Sequence, residues 1–334
     1  MSTTIPVAEL ATLCAAALEA AGASTDNARV VGEALAAAEA DGLASHGASR
    51  LPFYASQLMS GKVDGRAVPS VVRSATACVH VDARDGFAYP AIRAGLDAAL
   101  GFVRETGTAA VAIGNSHHAG AAGHHVEYAA RHGVVALGFS NSPAGIAPWG
   151  GRRGVFGTNP IAFACPRRPP HPPLVIDLSL SAVARGKVMQ AKQRGESIPE
   201  GWAIDADGNP TTDPETALAG TMLPIGGAKG SALALMVEVL TAVLTGSNLA
   251  FEASSFFTAE GPPPRIAQSF MLLDPEAFAG PHYDNRIETL VGAVLGNEGC
   301  RLPGGRREEV RTRSLADGVA VPESLLAEIR SFAG

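Results

Sequence analysis

Val71-Val72-Arg73-Ser74-Ala75-Thr76-Ala77-Cys78-Val79-His80-Val81-Asp82-Ala83 is where the chain changes character. Its β-branched and small residues read as a strand. More short runs of that kind follow it: Ala109–Ile113, Val134–Ser140, Ile161–Cys165, Leu174–Leu178 and Ile266–Leu273. Helical stretches, about Pro90–Thr106 and Ala121–Arg131, separate the first three runs. Up to about Ser60 the chain reads instead as helix. Apolar residues from Leu10 to Leu18 recur at three- and four-residue spacing and stop at Gly22. Ser24 or Thr25 then caps a second helix that Asp41-Gly42 ends, and a third spans about Ser45–Ser60. Helices first and mixed elements afterwards imply a helical portion packed beside an α/β portion.

Farther along, a long helix from about Ser231 to Leu244 contains the most apolar run, Ala232–Leu244. Glu238 interrupts that run, which also falls short of the roughly 20 residues a membrane span needs. Pro166–Pro173 is a proline-rich surface loop, and the polar stretch from Arg301 ends in a short helix, Ser324–Phe332. The 334 residues carry 26 Lys and Arg against 32 Asp and Glu. That mild acidity offers no field to draw nucleic acid or an anionic membrane. A mean hydropathy of +0.15 excludes a disordered chain, and the 38 glycines promise many turns and close backbone approaches. No secretory leader is legible before Leu10, so a soluble cytoplasmic protein is expected. Cys14, Cys78, Cys165 and Cys300 form no CxxC pair and read as buried free thiols of a reducing compartment.

Several common sites are missing. No strand leads into GxGxxG, so the Rossmann fingerprint is absent, and neither HExxH nor GxSxG occurs. Ser45-His46 could suggest a hydrolase, but the two are chain neighbours and no nucleophile elbow is present. On the predicted third helix His46 and Arg50 stand at i and i+4, which puts a proton-shuttling imidazole beside a planar carboxylate clamp. The plainer alternative is a helix start capped by Ser45, with Arg50 in a surface ion pair. His117, His118, His124 and His125 crowd nine positions. Two helical turns between pairs are about 10 Å, too far for one metal ion, and the small residues Ala119–Gly123 suit a ligand-contacting loop. Simple surface histidines are the other reading. Leu223–Gly230 runs straight into the long helix, so Gly226, Gly227 and Lys229 offer backbone N–H groups and a cation to an anion such as phosphate. An ordinary tight turn would read the same. Weaker candidates are the turn Gly157–Pro160, the strand end Asp177–Ser179, and Arg306 and Arg307 after Gly304-Gly305.

In order along the chain, DGLASHGASRLPFY from Asp41, NSHHAGAAG from Asn115, FGTNPIAFACP from Phe156, IDLSLSAVARGKV from Ile176, IPEGWAIDADGNPTTDP from Ile198, LPIGGAKGSALALMVEVL from Leu223 and RLPGGRR from Arg301 resemble the type-2 malate/L-lactate dehydrogenase family nearly end to end. That family also contains sulfolactate and ureidoglycolate dehydrogenases and the piperideine- and pyrroline-2-carboxylate reductases. The resemblance implies an α/β fold with a mixed, largely antiparallel sheet, a non-Rossmann NAD(P)-binding domain over 71–280, and a helical domain from 1–70 joined by 281–334. It implies a homodimer with NAD or NADP as cofactor and a small carboxylic acid as substrate. Carried across, His46 matches the proton donor, Ser45 its hydrogen-bonded neighbour, and Arg50 and Thr158 substrate contacts. His118 with Ala119, Gly120, Ala121 and Ala122 matches the stretch lining cofactor and substrate, and some members place the acid/base role there. Asp177, Leu178, Ser179, Lys229, Gly304, Gly305, Arg306 and Arg307 match cofactor contacts. No metal is implied. Ala228 departs from the family, many of whose members have histidine there. The blocks look nearest to sulfolactate-type members, so a 2-oxo acid with a second anionic group is the leading substrate. A cyclic imine acid is the alternative, and cofactor binding without turnover a remote one.

Overall fold

The computed structural model describes residues 1–334. A short strand, β1 (Ser2–Ile5), precedes α1 (Val7–Ala20), α2 (Thr25–Ala40) and α3 (Leu51–Met59). Then come β2 (Ser70–Ala75), β3 (Cys78–Asp82), α4 (Ala88–Leu100), α5 (Val103–Thr106), β4 (Thr108–Ser116), α6 (Ala122–Arg131), β5 (Val135–Ser140), β6 (Ile161–Cys165) and β7 (Leu174–Leu178). An excursion of α7 (Arg185–Arg194), β8 (Ala203–Ile204), β9 (Pro210–Thr211), α8 (Pro214–Ala219) and β10 (Thr221–Met222) leads to α9 (Ala228–Glu238). The chain finishes with β11 (Ile266–Leu273), α10 (Pro275–Ala279), α11 (Tyr283–Leu295), α12 (Gly305–Asp317), β12 (Val319–Pro322) and α13 (Glu323–Ala333).

The main sheet has seven strands in the order β2-β3-β4-β11-β5-β6-β7. Only β3 and β4 run parallel; every other neighbouring pair is antiparallel. Such a sheet cannot be a doubly wound dinucleotide fold, which agrees with the missing GxGxxG. Strand β11 arrives late in sequence yet sits in the middle, pairing Phe270 with Val111 on one side and Gly138 on the other. A Cβ on Gly138 would fall 2.8 Å from the Phe270 ring, so that close pairing needs glycine. Val, Ile and Ala side chains of α4, α6 and the sheet make one core. On α9, Glu238 is buried and accepts from Asn141 Nδ2, Asn159 Nδ2 and the Ala250 N–H. Three donors let an acidic side chain sit inside an apolar run.

A second core joins the two ends of the chain. Leu10, Leu18, Val31, Leu35 and Tyr54 pack with Val319, Val321, Leu326 and Ile329, while β1 pairs antiparallel with β12. Helix α12 is locked down by charge. Arg311 bonds both oxygens of Asp41 at 2.6 and 2.7 Å and both oxygens of Glu127 at 2.6 and 2.9 Å. Burial works against the Asp41 carboxylate, yet its bonds to Arg311 and His124 outweigh that and hold its pKa down to about 2.

Several expectations need correction. The single strand Val71–Ala83 is a hairpin, β2 and β3, turning at Thr76-Ala77. The third helix starts only at Leu51. The long helix starts at Ala228 and continues from Val239 to Val243 as a π turn. The stretch from Arg301 holds α12 and β12 as well as its last helix: β12 pairs with β1 from the far end of the chain, and α12 is held through Arg311. Of the cysteines, Cys14 and Cys165 are buried, but Cys78 is half-buried and Cys300 exposed.

Replacing Arg311 with Met would leave buried Asp41 with His124 alone and buried Glu127 with Arg131 alone, so we expect a loss of about 3 kcal/mol, read as a lower urea midpoint. Asp41 titrates lower folded than unfolded, so its contribution is present above about pH 4 and fades as pH falls toward 2, on the order of 2 kcal/mol. The wild-type urea midpoint should fall across that window, and R311M should lose most of this slope.

Candidate active site

After α2, Asp41 and Gly42 end the helix and the chain enters two 3₁₀ turns, Ala44–His46 and Ala48–Arg50. Gly47 separates them. A Cβ there would fall 2.1 Å from Glu39 Oε2, the atom that accepts the Ala48 N–H at 2.9 Å. His46 and Arg50 are therefore not i and i+4 on one helix, and the spacing argument fails. Ser45 caps no helix either: its Oγ lies 3.0 Å from His46 Nδ1, while Arg50 Nε donates to the Ser45 carbonyl at 2.7 Å. No salt bridge engages Arg50. Its Nη1 is buried and without a partner, and its guanidinium lies 4.7 Å from the centre of the Phe257 ring.

His118 reaches the same place from the loop after β4. Its ring stacks on that of His46 at 5.6 Å, tilted by 24°. Its Nδ1 lies 2.6 Å from the Tyr54 hydroxyl, which in turn is 3.2 Å from that of Tyr89. Phe256 closes over His118 at 5.1 Å between ring centres. Burial, then the charges of Arg50 and His124, push His46 down to about 4. Burial, then the charge of Arg50 and those of His46, His117 and His125, hold His118 well below the ordinary histidine value. The cluster is thus two neutral imidazoles beside a half-buried cation whose buried Nη1 is an open donor, an arrangement able to bind a carboxylate and exchange a proton.

The four histidines do not gather. His117 is buried against Tyr54, Phe87 and Phe256, which overturns the surface reading for it. His124 Nε2 lies 2.7 Å from Asp41 Oδ2, and His125 Nε2 lies 2.7 Å from the Ala119 carbonyl. Between them Ala119, Gly120 (φ +66°), Ala121 and Ala122 lead into α6. Asp177 Oδ2 accepts the Gly123 N–H at 2.8 Å in the first turn of that helix. A Cβ on Gly123 would fall 2.7 Å from Arg307 Nη1, a buried nitrogen with no partner.

Gly304 (φ +79°) and Gly305 open α12 below Arg306 and Arg307. Arg307, Gly304 and Val175 help line a cavity of about 80 Å³. Leu178 is exposed, and Ser179 Oγ turns to Ser181 Oγ at 2.7 Å. Thr158 is fixed by Ser142 Oγ and by the Leu180 N–H. Lys229 stands exposed in the first turn of α9, after Gly226 and Gly227, both at positive φ. Neither Thr158 nor Lys229 shares a hydrogen bond or ring contact with the histidine pair. The open guanidinium nitrogen of Arg307, the glycine turns and the positive end of α12 fit a phosphate-bearing dinucleotide.

Sequence reasoning missed Tyr54, Tyr89, Phe256 and Phe257. One usable signal was available: in a chain with four tyrosines, Tyr54 stands one helical turn past Arg50.

Residues 5–330 match the family model described as malate/L-lactate dehydrogenase. The (2R)-3-sulfolactate dehydrogenase (NADP(+)) of Chromohalobacter salexigens is 54% identical over 100% of this chain and 99% of its own. The Delta(1)-pyrroline-2-carboxylate/Delta(1)-piperideine-2-carboxylate reductase of Pseudomonas syringae is 43% identical over 94% and 91%. Among solved structures, the delta1-piperideine-2-carboxylate reductase of that species superposes with a TM-score of 0.93 at 41% identity, covering 99% of each chain. The sulfolactate dehydrogenase of Methanocaldococcus jannaschii gives 0.91 at 27% identity, covering 99% and 96%.

Tyr54→Phe removes one hydroxyl and leaves His118 Nδ1 and the Tyr89 O–H unpaired in a buried setting. The expected cost is about 1–3 kcal/mol of unfolding free energy by chemical denaturation.

Proposed function

The chain belongs to the malate/L-lactate dehydrogenase family, and on that premise we propose that it transfers hydride between a nicotinamide cofactor, NADP or NAD, and a small 2-oxo or 2-hydroxy acid. The observation that carries this reading is the open guanidinium of Arg50 beside the stacked rings of His46 and His118. Arg50 binds the substrate carboxylate. Thr158 is a further substrate contact. His46, held through Ser45, gives its proton to the oxygen where negative charge develops, and takes it back in the reverse direction. His118, kept neutral and fixed by Tyr54, positions the ring of His46 and lines the site. When bound, the dinucleotide supplies the hydride. Ala119–Ala122, Asp177–Ser179, Lys229 and Gly304–Arg307 would hold it, with Lys229 and Arg307 toward its phosphates. Ala228 leaves that grip without the histidine many relatives have.

Electrostatics give the proton step a built-in order. Arg50 lowers the pKa of His46 in the free protein. A carboxylate on Arg50 cancels that charge, so His46 becomes easier to protonate once substrate is in place. Reduction needs the protonated ring, so its kcat/KM should rise as pH falls from 7 toward about 4. The corresponding inflection in kcat should lie at higher pH, since kcat reports the complex.

The sulfolactate dehydrogenase at 54% identity supports an open-chain acid with a second anionic group. A cyclic imine carboxylate is the second reading, favoured by the aromatic wall of Phe53, Phe256 and Phe257 beside Arg50. Residues 1–70 with 281–334 would form the helical domain and 71–280 the cofactor domain. A homodimer is supported by Leu233, Met236, Val239 and Val243, apolar side chains exposed along α9 and the π turn after it. Sedimentation should therefore give twice the chain mass. The unpaired cysteines support a cytoplasmic setting, and no helix is long and apolar enough to cross a membrane.

The deciding assay follows NADPH and NADH oxidation with sulfopyruvate, oxaloacetate, pyruvate and piperideine-2-carboxylate. Turnover on an open-chain acid is expected; turnover on the ring alone would move the assignment to imine reduction, and silence on all four would leave cofactor binding only. His46→Ala should lower kcat by about 10²–10⁴-fold with little change in cofactor affinity. Unchanged kcat would remove His46 from the proton step.

A further inference from the structure

Lys62 is 2% exposed and pairs with no carboxylate. Its Nζ donates instead to three backbone carbonyls, those of Ser255 at 2.6 Å, Thr258 at 3.1 Å and Glu260 at 2.9 Å. Gln57 Nε2 donates to the carbonyls of Phe256 at 2.9 Å and Thr258 at 3.0 Å, and Ser60 Oγ to that of Ala259 at 2.9 Å. Five carbonyls of a six-residue stretch are thus turned inward onto the end of α3. The stretch 255–260 has no helix or strand to order it. The same stretch carries buried Phe256, which packs on His117 and His118, and exposed Phe257, which lies against Arg50 and meets Phe53 edge-on at 5.5 Å.

We infer that Lys62 is a positioning residue, its three-pronged grip on residues 255–260 holding Phe256 and Phe257 as the wall against which Arg50 presents its guanidinium to the substrate carboxylate. The choice of lysine follows from geometry. An ammonium is a compact centre with three donors, which is what three converging carbonyls require; a planar guanidinium would not fit the same volume. A neutral side chain would leave carbonyls facing inward with no donor, and the segment would turn to find water. Phe257 would then leave the face of Arg50, and the cation would lose the stacking that orients it. This inference rests on the reading of Arg50 as the carboxylate clamp.

Lys62→Met should raise KM for the acid about tenfold and lower kcat far less, with cofactor KM unchanged, because only binding of the acid is loosened. Phe257→Ala should do the same. Since both act through one contact, the double variant should be little worse than the poorer single one. If Lys62→Met fails to fold, Lys62→Gln replaces it. Additive effects in the double variant, or a lowered melting temperature with unchanged KM, would overturn the inference. If the wild type turns over none of the acids, the reaction assignment falls, and calorimetric titration of oxalate, with and without NADPH, decides about Lys62. Weaker oxalate binding in the variants supports the grip; equal binding, or none in the wild type, overturns it.

Discussion

One guanidinium fixes the distances on which the rest of the molecule depends. Arg311, near the end of the chain, bonds Asp41 at the end of α2 and Glu127 on α6. Asp41 also holds His124. Asp41 stands five residues before His46, and His124 six residues after His118. The same charge cluster therefore sets the spacing between the two segments whose rings stack in the site. Burying four charged or polar groups together is costly, and an isolated pair of this kind would add little stability. Here the return is geometric: α12, α2 and α6 have one way to meet, because any other parts two buried carboxylates from the guanidinium they share.

The histidine pair is built around exclusion of charge. His117, His118 and His125 are all pushed well down the pH scale, chiefly by burial, and Arg50 adds its own repulsion to the first two. A protein that leaves a half-buried cation with a buried, unused donor beside neutral imidazoles has a site stabilised by the arrival of an anion. On the proposed reading, that coupling would make proton donation conditional on a carboxylate being present. It needs no moving part.

The late entry of β11 has a second consequence. To reach the middle of the sheet, the chain between α9 and β11 must cross the helical portion, and it does so over the end of α3. Residues 255–260 are laid against Lys62 and Gln57 on the way. The aromatic wall of the site is thus a by-product of sheet order. Strand β11 also brings Gln268, which holds the His117 carbonyl at 3.0 Å and so fixes the loop that carries His118.

Much of the fold was legible because it depends on local pattern. The spacing of Leu10 to Leu18, the Ser24 cap and the β-branched runs each report which face of an element is buried, and the missing GxGxxG excluded a Rossmann domain. Ordered blocks from Asp41 to Arg307 identified the family, and with it a mixed sheet. What local pattern could not reveal was anything decided by contact across the chain. Gly47 reads as an ordinary helix residue until Glu39 is seen pressing on it, so the i, i+4 pairing of His46 and Arg50 was wrong although the two do share a site. Tyr54 reads as core until His118, 64 residues away, is found on its hydroxyl. Lys62 drew no notice in the sequence, because the carbonyls that surround it lie nearly 200 residues away. Periodicity records burial along one element; hydrogen-bond partners are chosen by how elements pack, and only the tertiary structure decides that.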